Sequence, residues 1–295
     1  MARILLCGIA VTDFVFKVET MPAEPRKYFT YEAAITGGGC AANAAVAICR
    51  LGGEALLSAR LGDDGVGDMI AAMLEKEGVD LSLCDRAPDG RSSFSSVYVD
   101  ATGERQIMNF RGSGLADTPS ALSDVPPVDA VLVDNRWGPL MRAGIEVGQR
   151  LGVPVIVDGE AQIGEDRFEG ASHVAFSRHG LEEFSGPGSV EEMLTRASKE
   201  LGCWVCVTDG AAGTWICSGG QIEHIAAFAV KAVDTLGAGD IWHGAFALRL
   251  AEGADERDAV RFANAAAAIK CTRFGGRDGA PNRGETDLLL ENGAL

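Results

Sequence analysis

The chain has 295 residues, 47% of them hydrophobic, and 26 Lys and Arg against 42 Asp and Glu give it a formal net charge of −16. That length and apolar content support one large α/β domain with an insertion, or two modest domains, around a substantial core. The negative field repels polyanions, which argues against nucleic acid or an anionic membrane as partner, so any local basic site needs its own explanation.

Ile4 to Val11 is apolar for eight residues before Asp13, too short to span a membrane and without a small-residue cleavage site; it reads as the first buried strand. Asp13 then sits just past that strand's end, where open α/β sheets hold ligands, although a turn aspartate has the same spacing. Phe14–Val18 and Tyr28–Ile35 alternate and flank Pro22 and Pro25; Ser93–Val99 and Gln106–Phe110 alternate around Asp100-Ala101-Thr102-Gly103. Four such strands predict a small sheet, over 13–36 and 91–113, inserted into a main domain formed by 1–12, 37–90 and 114–295.

Between these sets lie Gly37-Gly38-Gly39-Cys40-Ala41-Ala42-Asn43, a small-residue helix Ala44 to Leu51, a strand Ala55–Leu61 and Gly62-Asp63-Asp64-Gly65-Val66-Gly67. Gly37-x-Gly39-x-x-Ala42 matches a dinucleotide fingerprint by spacing, but that motif must follow the first strand of a βαβ unit. The glycines also let a substrate approach the backbone, with the Asn43 amide near the helix start. From Ala130–Asp134 onward strand and helix alternate: helix 140–151, strand Val153–Asp158, strand Val174–Ser177, helix 189–201, strand Val205–Asp209 and the turn Gly210–Gly213, the pattern of a parallel sheet flanked by helices. The eight cysteines lie in apolar contexts without disulfide-framework spacing, which suggests a reducing, cytoplasmic setting. Cys203 and Cys206 share an alternating apolar run and read as structural.

The most informative stretch is Asp234-Thr235-Leu236-Gly237-Ala238-Gly239-Asp240, followed at once by the helical apolar run Ile241 to Leu250. Gly237, Ala238 and Gly239 form a tight approach to a helix N-terminus whose amides and dipole suit an anion such as a transferring phosphoryl group. Asp240, one turn away, is placed to take a proton from an attacking hydroxyl, although an aspartate there also suits a helix start for dipole reasons alone.

This stretch, with the glycine block and its GDDxxG element, resembles the ribokinase (PfkB) family of ATP-dependent sugar kinases. The resemblance implies a central, mainly parallel sheet flanked by helices, with the small sheet as a lid that excludes water. It further implies Asp240 as base over the Gly237–Gly239 anion hole, and sugar hydroxyls bound at Asp13, Gly38, Gly39 and Asn43. ATP would lie against Thr208, Gly210, Gly213, Thr235, Ala263 and Asn264, with the alanine-rich tail helix Asp255–Thr272 on the adenine side. In the family a loop matching Arg273-Phe274-Gly275-Gly276 often holds a monovalent cation such as K+, mostly through backbone carbonyls, here those of Asp234, Leu236, Arg273 and Gly275. The lid is also where subunits would pair as a homodimer.

Two departures stand out. Where the family carries an N-x-x-E motif linked to Mg2+, this chain reads Ser177-Arg178-His179-Gly180. Glu182 or Glu183 would then substitute, or Mg2+ would be held mainly by ATP oxygens and water. Where neutral-sugar kinases offer an acidic group, the chain reads Asp134-Asn135-Arg136-Trp137, and an arginine there suits an oxyanion. Arg26, Lys27, Asn109 and Arg111 of the two lid hairpins are placed to converge on it, or else are solvated lid charges.

Gly8-Ile9-x-Val11-x-Asp13, Lys27-Tyr28, the triple glycine, Asn109, Arg136-Trp137, Ala175-Phe176-Ser177 and Lys270-Cys271-Thr272-Arg273-x-Gly275-Gly276-Arg277 together resemble the 6-deoxy-6-sulfofructose kinases. That likeness implies sulfonate binding by Lys27, Asn109 and Arg136 and phosphorylation of the C1 hydroxyl, as in sulfoquinovose degradation; Cys40, Asn43 and Arg111 depart from it. The alternatives are a fructose 6-phosphate or tagatose 6-phosphate kinase, a neutral ketohexose or nucleoside kinase, a non-catalytic sensor on the same fold, and a dinucleotide-dependent reductase.

Overall fold

In the computed structural model, which describes residues 1–101, 104–120, 122–164 and 168–293, β1 (Arg3–Cys7) lies between β4 (Glu54–Ser58) and β9 (Ala130–Asp134) and pairs in parallel with both. Ile4 and Leu6 enter one core cluster, Leu5 and Cys7 the other, so the strand is buried on both faces and reads as an unbroken apolar run. The main sheet has the order β14-β13-β12-β11-β10-β9-β1-β4, completed by β10 (Val155–Gly159), β11 (His173–Ser177), β12 (Trp204–Thr208), β13 (Thr214–Ser218) and β14 (Gln221–Ile225). It is parallel from β4 to β12, whereas β13 and β14 are antiparallel, a reversal not expected from the sequence.

Helices α1 (Cys40–Arg50), α2 (Gly65–Lys76), α6 (Ala238–Ala251) and α7 (Glu256–Cys271) contribute to the core on one face. Helices α3 (Gly138–Leu151), α4 (Arg178–Ser185) and α5 (Val190–Leu201) do so on the other, and α8 (Arg283–Asn292) packs on α7. None of the described helices is long and apolar enough to cross a membrane.

The separate four-stranded sheet has the order β3-β2-β7-β8, formed by β2 (Val11–Lys17), β3 (Ala33–Gly38), β7 (Phe94–Val99) and β8 (Arg105–Phe110). A two-stranded ribbon joins β5 (Arg60–Gly62) to β6 (Asp85–Ala87). Thr102 and Gly103 of the expected 100–103 turn lie outside the described residues.

Several boundaries differ from the sequence reading. The run Ile4 to Val11 is two strands in two sheets, divided at Gly8, where a Cβ would lie 2.0 Å from Asp134 Oδ2. Asp13 is consequently a residue of β2, opposite Thr36 and Ser95, rather than a turn residue beyond β1. The expected strand Tyr28–Ile35 lies instead at Ala33–Gly38, because the Tyr28 hydroxyl accepts the Ala23 and Glu24 amides at 3.1 and 3.0 Å and closes a turn. Val11–Thr12 and Gly37–Gly38 thus belong to the small sheet, across the boundaries expected at 12 and 37. Ala55–Leu61 likewise breaks into β4 and β5 at the buried Ala59. Helices α2, α4 and α8 were not anticipated, although Asp64 and Asn282 cap α2 and α8 with side-chain acceptors, the latter in a capping box with Glu285.

Candidate active site

The C-terminal ends of β1 and β9 adjoin the crossover into the small sheet, and Asp134 ties this junction together. Its Oδ2 accepts the Ile9 amide at 2.8 Å and the Ala41 amide at 3.2 Å, and its Oδ1 accepts the Arg136 amide at 3.0 Å. One buried carboxylate therefore joins the β1–β2 crossover, the start of α1 and the end of β9.

The three consecutive glycines each have a separate cause. A Cβ at Gly37 would strike the guanidinium of the buried Arg277 at 1.7 Å, and one at Gly38 would strike Asp13 Oδ2 at 2.3 Å. Gly39 has φ 95°, with the Ile9 carbonyl 2.4 Å from where its Cβ would be. The block thus brings α1 against the β1–β2 crossover and sets Asp13 against the buried backbone of Gly38. Asn43, on the first turn of α1, donates from Nδ2 to Asp240 Oδ2 at 2.6 Å.

Gly237 caps α6 in the left-handed region at φ 75°, which favours glycine. The amides of Gly237, Gly239 and Asp240 find no acceptor among the described residues. This is the unpaired N-terminal set that an anion would satisfy.

Around Asp240 the charges are crowded. Asp158, at the end of β10 and 3% exposed, has an Oδ1 without a hydrogen-bond partner. Ligand atoms of Cys40, Asp158 and Asp240 lie within 4.8 Å of one another. Burial and then the Asp158 carboxylate push the Asp240 pKa up to about 6, and burial with only partial relief from His243 raises Asp158 to about 6 as well. His243 Nδ1 is 2.8 Å from the Gly239 carbonyl and Nε2 is 3.1 Å from the Ala175 carbonyl, so both ring nitrogens face acceptors. Burial opposes its charge, but Asp158 and these carbonyls outweigh burial and raise its pKa. Burial and the same aspartates hold the Cys40 thiol neutral.

Two cavities flank this cluster. One of about 560 Å³ is lined by Thr208, Gly210, Gly213, Thr235, Ala238, Gly239, Asn264, Ala267 and Ala268 among others, which unites most residues expected for a nucleotide. Ala263 is not among them: it is 0% exposed and packs inside the core, so Ala267 and Ala268 present the small surface instead. The Asn264 side chain is spent within the protein, accepting from Thr214 Oγ1 and Trp242 Nε1 at 2.8 Å each and donating towards the Ile225 and Ala226 carbonyls.

The second cavity, of about 660 Å³, is bounded by Ile9–Val11 of the crossover and by Arg60, Asn109, Arg111, Asn135, Arg136 and Gln162. It gathers Asn109, Arg111 and Arg136 as the sequence suggested, and adds Arg60, which stacks 4.5 Å over Trp137 and was not foreseen. Lys27 is exposed and does not line it, while Arg26 lies 4.8 Å over the Tyr28 ring. Cys40 connects the two halves, because its Sγ neighbours Asp240 and its thiol feels the charge of Arg136. From the small sheet, Arg105 reaches Asp234 Oδ1 at 3.4 Å and Thr235 Oγ1 at 3.0 Å.

The missing N-x-x-E motif has a steric counterpart. At Gly180 a Cβ would lie 1.9 Å from the Gly159 carbonyl, so α4 docks on the end of β10 too closely for a side chain. Ser177 caps α4 by accepting the Gly180 amide at 3.1 Å. Glu182 and Glu183 are exposed, and Glu183 accepts the Gln162 and Ile163 amides at 2.9 Å each, so its carboxylate is engaged away from the Asp158–Asp240 cluster. Gly180→Glu is therefore expected to destabilise the fold by about 1–3 kcal/mol through overpacking, read as a lowered thermal midpoint; an unchanged midpoint would show that α4 yields freely.

The sequence profile of the pfkB family carbohydrate kinases matches residues 1–283. The chain belongs to that family. The kinase is 27% identical to the ribokinase of Bacillus subtilis over 98% of this chain and 100% of that one, and 27% identical to the fructokinase of Vibrio alginolyticus over 98% of both. A solved protein of Agrobacterium tumefaciens, provisionally called a ribokinase, superposes with a TM-score of 0.94 at 38% identity, covering 99% of this chain and 98% of that one. The kinase is accordingly an ATP-dependent phosphotransferase acting on sugar hydroxyls.

Proposed function

We propose that the acceptor is an anionic ketose, with 6-deoxy-6-sulfofructose the best fit, phosphorylated at its C1 hydroxyl to the 1-phosphate. The observation that carries this reading is the arginine-lined cavity: in a chain of net charge −16, Arg60, Arg111 and Arg136 border one concave space with Asn109. Guanidinium groups suit sulfonate or phosphate oxygens through paired hydrogen bonds. A neutral sugar such as ribose or fructose, which the relatives' names suggest, offers them no charge.

In this reading Asp240 takes the hydroxyl proton and the free amides of Gly237, Gly239 and Asp240 receive the transferring phosphoryl group, whereas the expected Ala238 amide already donates to the Thr235 carbonyl at 3.2 Å. Asp13, Gly38, Gly39 and Asn43 orient the sugar, and Thr208, Gly210, Gly213 and Thr235 hold ATP. The buried Oδ1 of Asp158, without a hydrogen bond and 3.6 Å from His243 Nε2, is a hard oxygen donor that fits Mg2+. Asp158 would hold that ion, which supplies charge neutralisation at the phosphates when bound. The sheet of β2, β3, β7 and β8 acts as the lid, and the exposed Ile35, Ile107 and Met108 on it favour pairing of two copies, testable by light scattering.

The test is ADP release with Mg-ATP against 6-deoxy-6-sulfofructose, fructose 6-phosphate, fructose and ribose. A preference for the sulfosugar of about tenfold in kcat/KM, equal to about 1.4 kcal/mol, is the expected result. Sulfonate carries about −1 charge and phosphate about −1.5 to −2 at neutral pH. A preference for fructose 6-phosphate would keep the anion site and change the substrate, whereas a preference for fructose or ribose would overturn the reading.

A further inference from the structure

We propose that the ammonium group of Lys270 takes the place of a monovalent cation in this chain, so that the kinase works without K+. The four carbonyls from which a cation site was expected are those of Asp234, Leu236, Arg273 and Gly275, and two already accept hydrogen bonds. Lys270, 0% exposed on the last turn of α7, donates from Nζ to the Asp234 carbonyl at 2.7 Å. Thr36 Oγ1 donates to the Gly275 carbonyl at 3.3 Å.

Lys270 Nζ also lies 3.1 Å from Asp234 Oδ2, which itself accepts the Gly275 and Gly276 amides at 3.1 and 3.0 Å. Asp234 Oδ1 accepts the Leu236 amide at 2.9 Å. A fixed positive charge thus joins the loop before α6 to the loop after α7, which is the task a bound cation would perform. A K+ ion on the same carbonyl would sit against this ammonium and be repelled by it. The position at a helix C-terminus adds a dipole that favours a cation, so the covalently tethered one is well placed. The residues present therefore do not fit an exchangeable monovalent cation.

The consequence reaches catalysis through the chain itself. Asp234 to Leu236 lead directly into Gly237–Gly239, so an ammonium that orders Asp234 also orders the anion hole. No ion has to be acquired for that ordering.

The experiment measures initial rates and thermal midpoints of the full chain at constant ionic strength in K+, Na+, NH4+ and tetramethylammonium chlorides. The wild type is expected to vary by less than about twofold in rate and to melt at one temperature in all four. Lys270→Ala is expected to lose at least about tenfold in kcat in tetramethylammonium, in line with loss of anion-hole order, and to recover in K+ or NH4+. Its midpoint without sugar or nucleotide should rise in K+ alone or NH4+ alone, as mass action requires of a bound ligand. Wild-type activation by K+ of about tenfold or more, or a K+-specific rise in the wild-type midpoint, would overturn the proposal. So would a folded Lys270→Ala protein that keeps its rate in every salt. If the variant does not fold, the wild-type series alone decides, and its melting arm does not depend on which sugar is the substrate.

Discussion

Asp240→Asn is expected to lower kcat by about 10²–10⁴-fold, the usual contribution of a positioned general base, and at the same time to make the protein more stable at neutral pH. The two effects share a cause. Burial and the neighbouring Asp158 raise the Asp240 pKa from 3.8 to about 6, so the folded state binds this proton more tightly than the unfolded chain does. A raised carboxyl pKa means that the favourable contribution is complete below about pH 4 and is lost as pH rises through about 6. At pH 7.5 the wild type therefore holds an ionised group in a place that disfavours it. The asparagine keeps an oxygen that can accept from Asn43 Nδ2 and removes that charge.

The stability gain should be near zero at pH 4, grow between pH 4 and 6 and level off above, at about 1–3 kcal/mol from roughly 1.4 kcal/mol per pKa unit. Thermal melts of metal-free, nucleotide-free protein at several pH values test this. A gain of equal size at pH 4 and pH 8 would mean that the ionised carboxylate is not the penalised species. In wild-type protein the same pKa predicts that kcat/KM falls as pH drops below about 6. Unaltered turnover in the variant would remove Asp240 from the base role.

Much of this site was legible because phosphoryl transfer needs backbone features that few residue types can form. Gly237 in the left-handed region, a helix beginning at Ala238 and a carboxylate one turn later are local, so seven consecutive residues specify them. The parallel sheet was legible for a similar reason: strands buried on both faces must be continuous apolar runs. What escaped the reading was set by contacts between distant segments. Nothing in Ile4 to Val11 marks Gly8 as the place where Asp134, 126 positions later, requires the absence of a side chain. The same holds for Gly180, which reads as a lost glutamate until the Gly159 carbonyl is found behind it. Asp158 ends an apolar run as Asp134 does, a signal that was present but carried no assignment. His243 was hidden inside a helical apolar run, where its two carbonyl partners cannot be inferred. Lys27 shows the converse: a resemblance in sequence assigned it to the anion, whereas the fold leaves it exposed and not lining the arginine-rich cavity.

Arg136→Ala is expected to raise KM for an anionic ketose by about 10- to 150-fold, corresponding to about 1.5–3 kcal/mol for a hydrogen bond to a charged group. The guanidinium is partly committed within the protein: Nη1 donates to the Ala161 carbonyl at 3.1 Å, and Nη2 lies 3.7 Å from Glu160. A loss of activity could then arise from a displaced 160–162 loop as well as from a missing charge, and the two causes predict different substrate patterns. Loss of charge raises KM for sulfofructose or fructose 6-phosphate and leaves a poor neutral acceptor such as fructose unchanged. Loop displacement impairs both alike. Arg136→Lys sharpens the distinction, because lysine keeps the positive charge but cannot present two parallel donors. Partial recovery for the anionic sugars would show that charge dominates, and no recovery would show that the planar fork is required. An equal rise in KM for anionic and neutral sugars would remove Arg136 from substrate recognition and leave it as a support for the loop that carries Glu160.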